Sequence, residues 1–140
     1  MSTKDEAMEK IEFGQFGPEH FEKIKKGVEL YNQKRYWECH EELEDHWLED
    51  TYDNARFVYW AIIQASTALY HYEDKNIEGA RGQITKAQDK LARCEKMRVE
   101  TSYLEKQLNW NSFKMMVRKI KTKCELNDFD ELYEFKFPLK

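Results

Sequence analysis

The run FVYWAIIQASTALY, Phe57 to Tyr70, is apolar nearly all the way round a helical wheel. A helix of that kind belongs at the centre of a bundle, with other helices on several sides. It is too short and too polar to span a bilayer, which takes about 20 predominantly apolar residues. The rest of the chain supplies the partners such a centre needs. Phe21, Ile24, Val28 and Tyr31 recur at spacings of three and four behind Gly17-Pro18, a helix start with Pro at the first helical position. Asn32 to Arg35 read as a turn. Tyr36, His40, Leu43 and Trp47 form the stripe of a second helix that ends near Glu49.

The apolar helix begins near Asp53, which reads as its cap, and ends between His71 and Lys75. Asn76 opens a fourth helix. Its seam of Ile77, Ala80, Ile84, Ala87, Leu91 and Cys94 alternates strictly by three and four. Leu104 and Leu108 suggest a fifth, shorter element, and Phe113, Met116, Val117 and Ile120 a sixth. The tail carries a short helical stretch and then FKFPLK, which cannot stay helical past Pro138. No strand pattern of useful length occurs. The expected fold is all-α: a compact helical bundle of about five or six helices built from antiparallel helix pairs. Residues 17–140 form one helical domain behind a flexible lead-in, 1–16.

Composition narrows the function classes. The formal net charge is −4, so no basic excess points to nucleic acid. Met1 to Lys10 is charged and lacks the apolar stretch of a signal peptide. Cys39, Cys94 and Cys124 are odd in number and widely spaced, with no CxxC pair, as expected of reduced thiols in a cytoplasmic protein. Membrane association is not expected. Between Tyr36 and Ala55 there are eight acids and no Lys or Arg; between Phe113 and Lys123 there are five basic residues and no acid. These are two solvated faces, or surfaces that meet within the fold or between protomers.

On the second helix Glu38, Glu42, Asp45 and Glu49 share the far, solvated face. His40 falls in the middle of the apolar arc, Glu44 sits one turn on and still inside it, and Glu41 lies at the border. The apolar helix offers Gln64 and His71 on one face with Phe57, Ala61 and Ala68. If the two faces meet, His40, Glu44, Gln64 and His71 form a buried polar cluster, whose members must pair because an unsatisfied buried group costs about 1–3 kcal/mol. Three readings stay open. The cluster is a hydrogen-bonded network that fixes helix register. It is a small-ligand or metal site, with a divalent metal such as zinc, iron or manganese as the cofactor. Or Glu44 and His40 act as an acid–base pair. HEELE at 40–44 has Glu where a zincin needs its second His, and no Gly-rich phosphate loop appears. Cys39 is adjacent to His40 in sequence but diverges from it by about 100° on the helix, so it reads as a core thiol.

The string LYNQKRYWECHEELEDHW, Leu30 to Trp47, resembles the signature of the helical family catalogued as domain of unknown function 309. The positions that carry the likeness are Tyr31, Asn32, Tyr36, Trp37, Glu38, His40, Glu41, Glu44 and Trp47. Gln64, His71, Asn76 and Gly79-Ala80 follow the family's second pattern. The family Gly before Asn is Lys75 in this chain. The likeness spans about 21–91, leaving a C-terminal helical extension of about 97–134. It implies an all-helical bundle and no particular reaction. The functional expectation is a helical domain that binds a ligand or protein partner. The alternatives are a metal-dependent hydrolase or similar small enzyme, and an oligomeric scaffold with a purely structural polar core.

Overall fold

A computed structural model describes residues 14–139. They form seven α-helices, with no strand among the described residues: α1 Pro18–Asn32, α2 Tyr36–Glu49, α3 Arg56–Glu73, α4 Ile77–Lys96, α5 Ser102–Leu108, α6 Trp110–Arg118 and, after a 3₁₀ turn at Leu126–Phe129, α7 Asp130–Glu134. The expected all-α class is the observed one. The helix pairs α1/α2 and α3/α4 are each closed by a three-residue turn, so their members run antiparallel.

The turns share one geometry. Lys34, Lys75 and Arg98 have φ of 61°, 59° and 56°. Behind each, the next amide reaches back five residues (Arg35 to the Leu30 carbonyl, Asn76 to His71, Val99 to Cys94). The positive-φ residue itself bonds the carbonyl three before it, at Tyr31, Tyr72 and Glu95. This is the Schellman closure, in which Gly is the usual occupant. A side chain there costs about 1 kcal/mol that Gly avoids. Each position carries a basic residue, the sign of charge that a helix C-terminus favours.

α3 is the central element. Val58, Tyr59, Ala61, Ile62, Ala65, Ala68 and Leu69 are fully buried, between α2 on one side and α4 on the other. α1 lies on α2, where Gly27 makes the approach possible: a Cβ there would stand 2.4 Å from a Leu43 methyl carbon. Leu43 is itself fully buried, so trimming it to Ala would cost about 2–5 kcal/mol. α6 packs on α4, and α7 on α6.

Two expectations are corrected. Asp53 does not cap α3. Its Oδ1 accepts from the Ala55 amide two residues on, and Arg56, Phe57 and Val58 bond back by three residues in a tight turn before the helix opens at Arg56. Most of the expected lead-in, residues 1–13, lies outside the described residues. Phe16, however, is buried, its N–H donating to Val99 O and its carbonyl accepting from the Thr101 hydroxyl.

The charge asymmetry also resolves. Lys114 and Arg118 pair with Glu95, Lys114 also with Glu100, and Lys119 with Glu131. Three of the five basic residues are thus matched by carboxylates of α4, the loop after it and α7, not by the acidic run of α2. Glu95 is held down to about 2, first by its hydrogen bond from Arg118 and then by Lys114, against the opposing effect of burial.

Candidate functional site

The apolar arc of α2 centres on Tyr36, Cys39 and Leu43, because this helix packs against both α1 and α3. His40 therefore stands at the edge of the arc and not in its middle. Its side chain is 21% exposed, and that of Glu44 is 51% exposed. The imidazole Nε2 lies 3.0 Å from Glu44 Oε2, one helical turn away, while Nδ1 is buried with no hydrogen-bond partner among the described residues. Glu41 is exposed. Cys39 is fully buried, and burial pushes its thiol up to about 12, against a hydrogen bond with Ser66. That is an inert core thiol.

His40 and Glu44 open onto a cleft of about 350 Å³ between α2, α3 and α4, with Gln64 and Gln83 on its far side and Trp47 and Trp60 among its walls. The volume sits near the low end for small-molecule sites. Gln64 is a pin across the helix pair: in the amide orientation that satisfies both groups, it donates to Lys86 O at 2.9 Å and accepts from Trp60 Nε1 at 3.2 Å. The two indoles lie against one another with ring centroids 4.1 Å apart. Each also meets a cation, Arg56 at 3.6 Å from the Trp47 ring and Lys90 at 4.0 Å from the Trp60 ring.

His71 does not join them. It stands at the α3/α4 turn, Nδ1 3.2 Å from the Asn76 amide nitrogen, while Asn76 Oδ1 caps α4 by accepting from Gly79 N. Gly79 is required there, because a Cβ would come within 2.7 Å of the His71 ring. His71, Asn76 and Gly79 thus form one packed turn. Lys75 closes it in the left-handed conformation that the Gly of the expected pattern adopts without strain.

The remaining motif positions have separate tasks. Tyr36 is buried against Tyr31, and Glu38 pairs with Arg35 on the surface. Asn32 bonds the C-terminal segment at Phe137. Trp37 is 51% exposed and touches both His40 and Tyr70, with ring centroids 4.9 and 5.5 Å away.

One polar constellation was not foreseen from the sequence. His20 is 1% exposed, its Nδ1 accepts from Gly17 N at 2.9 Å, and its Nε2 lies 2.6 Å from Asp53 Oδ2. The Gly17 bond makes Nδ1 an acceptor, so Nε2 carries the proton donated to Asp53. Burial raises the Asp53 carboxyl, but the bonds from His20 and the Ala55 amide outweigh it and leave the group below its usual value. Beside it Asp50 accepts from Lys23 and the Tyr59 hydroxyl. The one local signal was His20 at the third helical position, where a capping box places Glu or Gln.

Among the described residues no three His, Cys, Asp or Glu side chains are grouped as a metal site requires. His40 and Glu44 supply two such groups, and no third stands with them, so the donor set does not fit the divalent metal considered above. No described helix is long and apolar enough to cross a membrane.

What the fold and site define is an all-helical protein with a polar-lipped cleft between paired helices. Residues 24–83 match the family model described as Domain of unknown function (DUF309), the family that the α1–α4 motifs resemble. A protein of Bacillus subtilis (strain 168), named uncharacterized protein YpuF, is 44% identical over 55 residues. That stretch is 39% of this chain and 31% of the relative, so the likeness spans under a third of that protein's length. No solved structure matches the chain at a significant level.

Proposed function

We propose that the protein is a binding domain that receives a segment of a protein partner at the cleft between α2, α3 and α4. The carrying observation is where the chain leaves large apolar side chains in water. Trp37, Leu48, Tyr52, Tyr70 and Met115 are the exposed ones among the described residues. Three of them lie near the cleft: Leu48 lines it, Trp37 stands against His40 at its edge, and Tyr70 stands against Trp37. Scattered exposed apolar residues need no explanation, whereas a group of them beside a concave site marks an interaction surface. Aromatic anchors around a pocket with a few polar groups are also the anatomy of binding hot spots. The cleft is of a size to take one partner side chain, with His40, Glu44 and Gln83 at hand for its polar atoms.

The test compares proteins retained by the wild-type chain from the source cells with those retained by Leu48→Glu and by Tyr52→Ala, which alters an exposed aromatic off this face. A protein lost with Leu48→Glu and kept with Tyr52→Ala is then purified and its affinity for each variant measured. The reading fails if wild type and Leu48→Glu retain the same set. A partner that proves to be a second copy of the chain would show as a Leu48-dependent dimer in sedimentation.

A further inference from the structure

The C-terminal segment after α7 is extended, and its exposure alternates: Phe135 and Phe137 are buried at 9% and 2%, while Lys136 and Pro138 face solvent. One side chain of the helical body reads its backbone. Asn32 Nδ2 donates to Phe137 O and Asn32 Oδ1 accepts from Phe137 N, both at 2.8 Å. That pair of bonds is what a neighbouring strand would make, supplied by a carboxamide. Below it the Phe137 ring sits among Tyr31, Phe113 and Phe135, at centroid distances of 4.9, 5.0 and 5.2 Å.

Backbone bonds that accept any extended residue, combined with pockets for alternate side chains, are how peptide-binding domains recognise strands. The backbone attachment is sparse. Residues 136–139 make no other hydrogen bond to described residues. A cleft of about 210 Å³, lined in part by Phe21, Lys106 and Gln107, lies beside Pro138 and Leu139. Segments with few backbone bonds open locally at lower free energy than the core.

We propose that Asn32, Tyr31 and Phe113 form a binding site for an extended peptide with Phe at alternate positions, occupied in cis by residues 135–139. A peptide of the same sequence then competes for it in trans. Tethering gives the cis segment an effective concentration on the order of millimolar, so the free peptide binds wild type poorly. Weakening the cis segment alone exposes the site.

The experiment uses the full chain and a fluorescein-labelled peptide of residues 134–140, followed by anisotropy. The Phe137→Ala chain is expected to bind the peptide at least about tenfold tighter than wild type. Adding Asn32→Ala to it should reduce that binding about tenfold, through the loss of both backbone bonds. Equal binding to wild type and Phe137→Ala, or none to a Phe137→Ala chain that keeps its helical circular dichroism, overturns the proposal. If Phe137→Ala does not fold, native-state hydrogen exchange on the wild-type chain decides. A Phe137 amide that exchanges at least about tenfold faster than the Ile62 amide supports a segment that leaves its site. A Phe137 amide that exchanges only as fast as Ile62 makes the segment part of the core and overturns the proposal.

Discussion

His20 and His40 stand on successive helices of one hairpin, each beside a carboxylate: His20 hydrogen-bonded to Asp53, His40 in ion-pair contact with Glu44. His20 is sealed: its ring is 1% exposed, both nitrogens are bonded, and its partners join the entry to α1 with the α2–α3 turn. His40 is half open: one nitrogen meets Glu44, the other has no partner among the described residues, and a cleft with exposed aromatics begins beside it. A buried group with every bond made is fixed by folding and has nothing left to offer a ligand. His40, paired only with the half-exposed Glu44, contributes less to the fold, and its ring edge stays beside the cleft. The more buried histidine is therefore the structural one, and the looser site is the one to which we assign the proposed binding.

Removing His20 should separate the two most sharply. His20→Ala leaves the Gly17 amide and Asp53 Oδ2 without partners and opens a void in a closed region. A loss of about 2–4 kcal/mol in urea unfolding is expected. A loss under about 1 kcal/mol would break the comparison, because the site would then tolerate what an exposed pair tolerates. Asp53→Asn comes next, at about 1–2 kcal/mol near neutral pH. It carries a pH signature. The folded Asp53 carboxyl lies below its ordinary 3.8, so its contribution is complete above about pH 4 and is lost as pH falls through the lower, folded value. In Asp53→Asn that part of the acid limb should be missing. Parallel acid limbs for the two proteins would count against Asp53 as the group responsible.

The helices could be read because each buries a face against a neighbour, so the three-and-four spacing from Phe21 to Cys94 had to be present. His40 and Glu44 could be read because they are one turn apart on a single helix. Their depth could not: the arc was centred on His40, whereas packing on two sides, α1 and α3, centres it on Cys39 and Leu43. His71 shares a wheel face with Gln64, yet seven residues put it about 10.5 Å further along the axis, at the turn and beyond the cleft. The partners of His20 and Asn32 lie 33 and 105 residues away in sequence. No local pattern carries such a pairing. Asn32 looked like a turn residue, and its second task appears only when the C-terminal segment is folded onto it.

His40→Ala should cost less than about 1 kcal/mol, since the ring is partly exposed and only one of its nitrogens has a polar partner.

Glu44→Gln is the smallest expected effect on stability and the most informative about function. Its carboxylate is 51% exposed and pairs with His40 within one helix, so the net contribution is about 0.3–0.5 kcal/mol, and salt weakens it further. Unfolding of Glu44→Gln and wild type should therefore be nearly superimposable at moderate ionic strength. Binding should not be: a charge at the lip of an interface acts on association rate and its salt dependence even where it adds little to the fold. The partner identified through Leu48→Glu should bind Glu44→Gln with a slower on-rate and a flatter dependence on salt. If stability and association are both unchanged, Glu44 is a solvated surface acid. The cleft would then rest on its aromatic walls and on His40, and the contrast with His20 would narrow to burial alone.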